Sequence, residues 1–218
     1  MPARPAADAG DHWRKWAVGL ALWVPVVVLM IQAVTDRLGA NPAEALIRGT
    51  GDWALRMICL ALAVTPARVI LGQPALARYR RLLGLTAFGY VCLHFASYLW
   101  LDMAFDWDDT LRDIAKRPFI AVGFTAWLLL TPLAATSTDG AVRRLGGKAW
   151  RAVHRLVFPA ALLALLHFFW MRAAKRNFGE VALYAAVIGF LLVWRLWQWR
   201  RRRRPAPGAS RPGVQARI

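Results

Sequence analysis

Six apolar stretches, each 19 or 20 residues long, occupy most of this 218-residue sequence. Because a helix of about 20 apolar residues spans the roughly 30 Å hydrocarbon core of a bilayer, each stretch predicts a transmembrane helix. The sequence is therefore expected to form an all-α integral membrane protein, with a six-transmembrane helix bundle over residues 16–199. The predicted spans are Trp16–Val34, Trp53–Leu71, Leu82–Leu101, Pro118–Ser137, Ala152–Met171 and Val181–Trp199.

The composition excludes several soluble classes. Hydrophobic residues make up 58% of the chain, whereas ordinary soluble domains are about 45–50% apolar. A soluble nucleic-acid-binding protein with the same net charge of +17 would be far less apolar, so no nucleic-acid partner is expected. The two cysteines, Cys59 and Cys92, both lie in apolar stretches and indicate no disulfide framework.

The positive charge is concentrated on one side of the predicted bundle. That side carries 20 of the 29 lysines and arginines, in residues 1–15, in the second and fourth connections with the adjoining span ends, and in the C-terminal tail. Positively charged residues favour the cytoplasmic side, so both termini are predicted to be cytoplasmic. Residues 200–218 are expected to form a basic, disordered cytoplasmic tail attracted to the anionic lipids of the bilayer.

Three of the four histidines lie within predicted spans, where a histidine is usually functional. His94 lies about 18 Å along the third span and His167 about 22 Å along the fifth, and the two spans run in the same direction. The two imidazoles are therefore at similar depth. Facing histidines in a bundle can ligate the iron of a b-type haem on both axial sides, so this pair predicts one haem site.

His154 precedes His167 by about 20 Å along the same span and suggests a second haem nearer the inner surface. An ideal helix would turn the two rings about 140° apart, although a kink at Pro159 could re-aim one of them. The third span has Arg80 and Arg81 at this level, not a histidine, so the second site lacks a second axial ligand. The arginines could instead pair with haem propionates, and His154 could simply bond another helix.

Three runs of sequence carry a resemblance to a known family. They are RRLLGLTAFGYVCLHFASYLWLD (Arg80–Asp102), KRPFIAVGFTAWLLLTPLAATST (Lys116–Thr138) and RRLGGKAWRAVHRLVFPAALLALLHFFW (Arg143–Trp170). In this order, and with His94, His154 and His167 in place, they resemble the MsrQ (YedZ) family of the ferric-reductase-like transmembrane superfamily. The resemblance implies a multi-pass protein of the bacterial inner membrane that binds haem b through these histidines.

The resemblance also implies partners. Members of the family form the haem-bearing membrane subunit of the MsrP–MsrQ system and pass electrons to periplasmic MsrP, a molybdopterin enzyme that repairs methionine sulfoxide. They are associated with FMN and take electrons from a cytoplasmic flavin reductase or from quinone. By this reading the acidic connection Asp102–Arg117 is a candidate surface for MsrP. The basic connection Arg143–Arg155 could dock a flavin phosphate or an acidic reductase.

Other functions are compatible with the same spans. Within redox chemistry, a quinol-oxidising cytochrome b or a stand-alone ferric reductase would use the same histidine pair. Outside it, a six-span transporter or scaffold could use histidines as a proton relay. A relay would need membrane carboxylates as partners, and no aspartate or glutamate lies at the centre of a predicted span.

Overall fold

The structure is a computed structural model that describes residues 9–173 and 178–203. Within these ranges it contains eight α-helices and no β-strand. Short 3-10 turns, Pro74–Tyr79 and His154–Leu156, precede the third and the seventh helix. The helices are α1 (Ala9–Val34), α2 (Pro42–Ile70), α3 (Arg80–Leu101), α4 (Trp107–Lys116), α5 (Pro118–Ala135), α6 (Asp139–Val153), α7 (Val157–Ala173) and α8 (Phe178–Arg203).

Six helical segments among the described residues are long and apolar enough to cross a membrane, which confirms the predicted all-α fold with six spans. Successive spans cross in opposite directions, so α4 and α6 lie at opposite ends of the bundle, here named the α4 end and the α6 end. The predicted disordered tail lies outside the described residues from 204 onward. The six segments are Trp13–Val34, Pro42–Ile70, Pro74–Leu101, Pro118–Ala135, Asp139–Ala173 and Phe178–Arg201.

The second span is longer than predicted. The sequence suggested Trp53–Leu71, whereas α2 begins at Pro42. Proline at the first position of a helix costs no hydrogen bond, because the N–H there has no partner within the helix. The side chain of Asn41 accepts a hydrogen bond from the main-chain N–H of Glu44 at 3.1 Å. These two features start the helix before its apolar part. α2 also has the largest buried share of the six spans and lies at the centre of the bundle.

Three charged residues in the first half of α2 have partners of opposite charge, which lowers the cost of placing them in a span. Arg48 Nη2 lies 2.7 Å from Glu44 Oε1 one turn away. Asp52 Oδ2 lies 2.8 Å from Arg172 Nη2 on α7. Asp52 therefore lies inside a span. It lies in the half of α2 nearer the α4 end, and the prediction left it outside the span because it placed the start of α2 too late.

The first span packs at the edge of the bundle, and none of its described side chains is buried. It contacts Tyr90 of α3, whose hydroxyl donates to the main-chain oxygen of Leu22 at 2.8 Å. The Trp23 ring stacks on Tyr90 with 5.2 Å between ring centroids. Gly89 leaves room for the Trp23 ring, because a β-carbon there would lie 2.7 Å from that ring.

The two long connections expected to be loops contain helices. α4 begins after Asp106, whose side chain accepts the N–H of Asp109 at 2.9 Å. α6 begins after Thr138, whose hydroxyl accepts the N–H of Ala141 at 3.1 Å. Both are N-caps of the usual kind. Within α6 the backbone breaks at Gly146, which has a φ of 72°.

Candidate functional site

The site is built around His94 on α3 and His167 on α7. The centroids of the two imidazole rings lie 6.0 Å apart, and the ring planes meet at 68°. The structure thus brings together the two histidines that were expected at matched depth. Two imidazoles that bind one metal from opposite sides can be rotated relative to each other by any angle about the line that joins them. The angle of 68° between the ring planes is therefore compatible with both histidines binding one metal.

A main-chain carbonyl holds each ring through its Nδ1 atom. His94 Nδ1 lies 2.9 Å from the oxygen of Ile47 on α2, and His167 Nδ1 lies 2.7 Å from the oxygen of Phe119 on α5. A carbonyl can only accept, so both Nδ1 atoms carry the proton. The Nε2 atom of each ring is then left with a free lone pair, which is the arrangement that metal-binding histidines use.

Two glycines let the imidazoles approach the neighbouring helices. A β-carbon on Gly51 of α2 would lie 3.0 Å from the His94 ring. A β-carbon on Gly123 of α5 would lie 2.8 Å from Nδ1 of His167. Side chains at these positions would push the rings away from the carbonyls that orient them. On the helix beside each histidine, a glycine therefore leaves room for the ring and a carbonyl accepts a hydrogen bond from it.

A cavity of about 250 Å³ lies between α2, α3, α5 and α7 and includes both histidines in its wall. Its deeper part is apolar and aromatic, with Phe95, Phe124 and Trp127 packed on one another. Toward the α4 end the lining becomes charged. The charged and polar residues there are Arg48, Asp52, Tyr98, Asp102, Arg117 and Arg172.

Two donors in the cavity wall have no acceptor among the described residues. They are Arg48 Nε and Trp127 Nε1, and both are buried. A buried donor without a partner is costly, and a ligand in the cavity would supply the acceptor. Arg48 also belongs to the charged end of the cavity, where an acidic group on a ligand would lie.

These features fit haem. No cluster of three or more metal-ligating side chains occurs in the part of the chain that the structure describes. Two imidazoles are the ligand set that a protein supplies to a b-type haem, whose macrocycle provides the remaining ligands. The cavity has an apolar interior for a porphyrin and arginines at one end for its carboxylates.

His154 lies apart from this cavity, at the α6 end. Its Nε2 lies 3.2 Å from Oγ1 of Thr136, and its ring stacks on Trp150 with 3.9 Å between centroids. The Thr136 hydroxyl donates its one hydrogen bond to the carbonyl of Pro132 at 2.6 Å, so it accepts a hydrogen bond from Nε2 of His154. The proton is therefore on Nε2 and the free lone pair of His154 is on Nδ1. The 3-10 segment His154–Leu156 separates α6 from α7, and Pro159, where a kink was considered, lies in the first turn of α7.

Comparison with known proteins gives consistent results across most of the chain. Residues 50–165 match the sequence model of a family described as the ferric reductase like transmembrane component. The chain is 57% identical over 192 residues to a protein of Polaromonas naphthalenivorans, a match that covers 88% of each chain. That protein is named protein-methionine-sulfoxide reductase heme-binding subunit MsrQ.

The chain belongs to the MsrQ family. Proteins with the same name from Herminiimonas arsenicoxydans and Bordetella pertussis are 48% and 43% identical over 184 and 211 residues. The second match covers 97% of this chain and all of the relative. With its six apolar helices and a transmembrane family domain, this MsrQ-family chain is a multi-pass membrane protein.

Sequence reasoning missed the groups that orient the histidines in this MsrQ-family chain. The carbonyls of Ile47 and Phe119 leave no trace in a sequence, because every residue has one. Gly51 lies just before the second predicted span and Gly123 lies within the fourth. Their contacts with the two rings could not be predicted from the sequence. The charged end of the cavity was missed because the start of α2 was placed too late.

Proposed function

We propose that the chain is a haem b electron-transfer subunit of a methionine-sulfoxide reductase system. The observation that supports this most is the pair of imidazoles with centroids 6.0 Å apart, each with Nδ1 bonded to a carbonyl. That arrangement leaves Nε2 of both rings free to bind one metal between them. The names of the relatives, which include the words heme-binding subunit, support the same conclusion.

In this proposal His94 and His167 would hold the haem iron. The bound haem supplies a one-electron redox couple. Arg48, Arg117 and Arg172 at the charged end of the cavity would bind its carboxylates, and the aromatic wall would exclude water. The carbonyls and glycines around both rings would hold the two ligands in one orientation.

We infer the direction of transfer from the charge distribution. The basic α6 end would be cytoplasmic by the positive-inside rule, with both termini on that side of the bacterial inner membrane. The haem cavity, which opens toward the α4 end, would then lie near the periplasm. Electrons would enter from a cytoplasmic flavin reductase or the quinone pool and leave to periplasmic MsrP. The acidic helix α4 and its flanks are the candidate contact for MsrP.

Two further cofactor assignments remain predictions. FMN is expected only from the resemblance to the MsrQ family, and we assign no residue to it. A second haem would use His154, whose free lone pair is on Nδ1 because Nε2 donates to Thr136. Its opposite ligand has no histidine candidate in the third span, where Arg80 and Arg81 lie at that level.

The haem site is tested by spectroscopy on the purified full chain. We expect a Soret band and a reduced-minus-oxidised spectrum typical of two imidazole ligands. His94→Ala and His167→Ala should each reduce haem content at this site by at least about tenfold, because one axial ligand is lost. His154→Ala should leave this spectrum intact and lower total haem only if a second haem binds. Unchanged haem in both His94→Ala and His167→Ala would contradict the proposal.

The electron acceptor is tested separately. The reduced protein is mixed with oxidised MsrP or with a ferric chelate, and reoxidation is followed by absorbance. Rapid reoxidation by MsrP, with little by the chelate, supports the proposed role. The reverse pattern favours a ferric reductase, and reduction by a quinol without any transfer to MsrP favours a quinol-oxidising cytochrome. A protein that purifies without iron favours the transporter or scaffold.

A further inference from the structure

The carbonyls and glycines beside the two imidazoles have the same spacing on their helices. On α2 the carbonyl belongs to Ile47, and the glycine that leaves room for the ring is Gly51. On α5 the carbonyl belongs to Phe119, and the glycine is Gly123. In both helices the glycine follows the carbonyl by one helical turn. Each helix therefore presents the same local arrangement to the histidine that it holds.

The residue that precedes the glycine differs between the two helices. It is Thr50 on α2 and Val122 on α5. Thr50 is buried, and its Oγ1 lies 2.9 Å from the main-chain oxygens of both Leu46 and Ile47. Threonine hydroxyls within helices commonly donate to a carbonyl one turn earlier. Here one of the two acceptors is also the carbonyl that holds His94.

The oxygen of Ile47 therefore has one more donor than the oxygen of Phe119. In regular helix geometry each oxygen also accepts from the main-chain N–H of the glycine one turn later. The Ile47 oxygen additionally takes a share of the Thr50 proton. A carbonyl has two lone pairs, so a further donor weakens the bonds already made to it. The distances agree, because Nδ1 lies 2.9 Å from its acceptor in His94 and 2.7 Å in His167.

We propose that Thr50 is a positioning residue that acts on His94 through the carbonyl of Ile47 and makes the two haem ligands unequal. A hydrogen bond from Nδ1–H makes an imidazole more basic and hence a stronger ligand. The Thr50 hydroxyl weakens that bond in His94, so His94 is a weaker ligand than His167 and the reduction potential of the haem is raised. The inference rests on the proposed function, since it concerns the haem that the pair would hold.

Two reciprocal substitutions test the role of the hydroxyl. Thr50→Val keeps the shape of the side chain and gives α2 the arrangement of α5. Val122→Thr does the reverse, because a hydroxyl there can reach the carbonyl of Phe119. Val122 is only partly buried, so its variant remains informative if Thr50→Val fails to fold. Thr131→Val is the matched control, since Thr131 donates at 2.9 Å to the carbonyl of Trp127, which holds neither ligand.

The first measurement is the midpoint potential of the haem in the purified full chain, by redox titration followed by absorbance. Thr50→Val should shift the potential to a more negative value, because a more basic His94 stabilises oxidised iron. At a fixed ambient potential the ratio of oxidised to reduced haem should rise about two- to tenfold, the equivalent of about one hydrogen bond. Val122→Thr should shift the potential in the opposite direction, and Thr131→Val should leave it unchanged.

The second measurement needs no haem. NMR of the apoprotein with isotope-labelled histidine records the Nδ1–H proton of each ring, whose resonance moves downfield as its hydrogen bond strengthens. Thr50→Val should move the His94 resonance downfield, and Val122→Thr should move the His167 resonance upfield. Unchanged resonances in both variants, potentials that stay constant or move in the same direction in both, or an equal effect of Thr131→Val would overturn the proposal. A wild-type chain that binds no haem would contradict the proposed function instead, and the resonances would still decide whether Thr50 weakens the bond of His94.

Discussion

Gly123 of α5 lies directly against the imidazole of His167 on α7, where a β-carbon would be 2.8 Å from Nδ1. Gly123→Ala should displace the ring and weaken its bond to the carbonyl of Phe119. Because that bond orients the proposed haem ligand, we expect haem affinity to fall by about 10- to 100-fold. Haem titration of the purified apoprotein, followed by the Soret band, measures the change.

Gly189 of α8 provides the matched control, because a β-carbon there would meet no atom within 4 Å. Gly189→Ala should keep wild-type haem affinity and stabilise the helix by about 0.5–1 kcal/mol. If both alanine variants bind haem like the wild type, Gly123 does not set the position of the ring.

The ion pair between Arg172 and Asp52 should contribute strongly to stability. Their side chains are 17% and 24% exposed, so Arg172→Gln leaves a largely buried carboxylate without its partner. We expect a loss of about 3 kcal/mol in the free energy of unfolding, measured by thermal unfolding in detergent. The double variant Arg172→Gln with Asp52→Asn should recover part of this loss, since it removes the uncompensated charge.

An exposed pair on α4 is the control for this experiment. Arg112 and Asp109 lie 3.2 Å apart, with side chains 67% and 65% exposed. Arg112→Gln should change the free energy of unfolding by less than about 1 kcal/mol. An equal loss in Arg112→Gln and Arg172→Gln would show that burial is not the cause.

Tyr98 holds α4 against the end of α3. Its hydroxyl donates to Asp113 Oδ2 at 2.8 Å, and the same carboxylate bonds Arg117. Tyr98→Phe removes this bond, and we expect hydrogen exchange of the α4 amides to speed up by about tenfold or more. Tyr184→Phe makes the same chemical change on α8, where Tyr184 accepts from Arg56, and should leave exchange in α4 unchanged. Faster exchange with both variants would indicate a general loosening.

The orientation of the bundle can be tested with single cysteines. Asp108→Cys on α4 and Lys148→Cys on α6 place a thiol at exposed positions on opposite ends. A membrane-impermeant maleimide added to intact spheroplasts should label the first variant and not the second. The unaltered chain, with only Cys59 and Cys92 in its spans, is the background control. Labelling of Lys148→Cys alone would reverse the proposed direction.

The lengths of the apolar stretches were enough to predict six spans and to place His94 and His167 at similar depth, because both follow from residue counts and the rise per residue. Charge pairing was beyond such reasoning. Arg48 and Asp52 interrupt the apolar run of α2, and only contacts with Glu44 and with α7 show why the helix continues through them. The N-caps of α4 and α6 were readable from Asp106 and Thr138, although the connections were treated as loops.

The two carbonyl anchors of the imidazoles also bear on biogenesis. Ile47 and Phe119 belong to α2 and α5, whereas the rings that they hold belong to α3 and α7. Each ring is therefore aimed only once two helices have inserted and associated, and both rings are aimed only when all four have done so. Small zinc domains, by contrast, fold only when their ion arrives. The two anchors join α2 to α3 and α5 to α7, so both proposed ligands are oriented only in a bundle in which these four helices have associated.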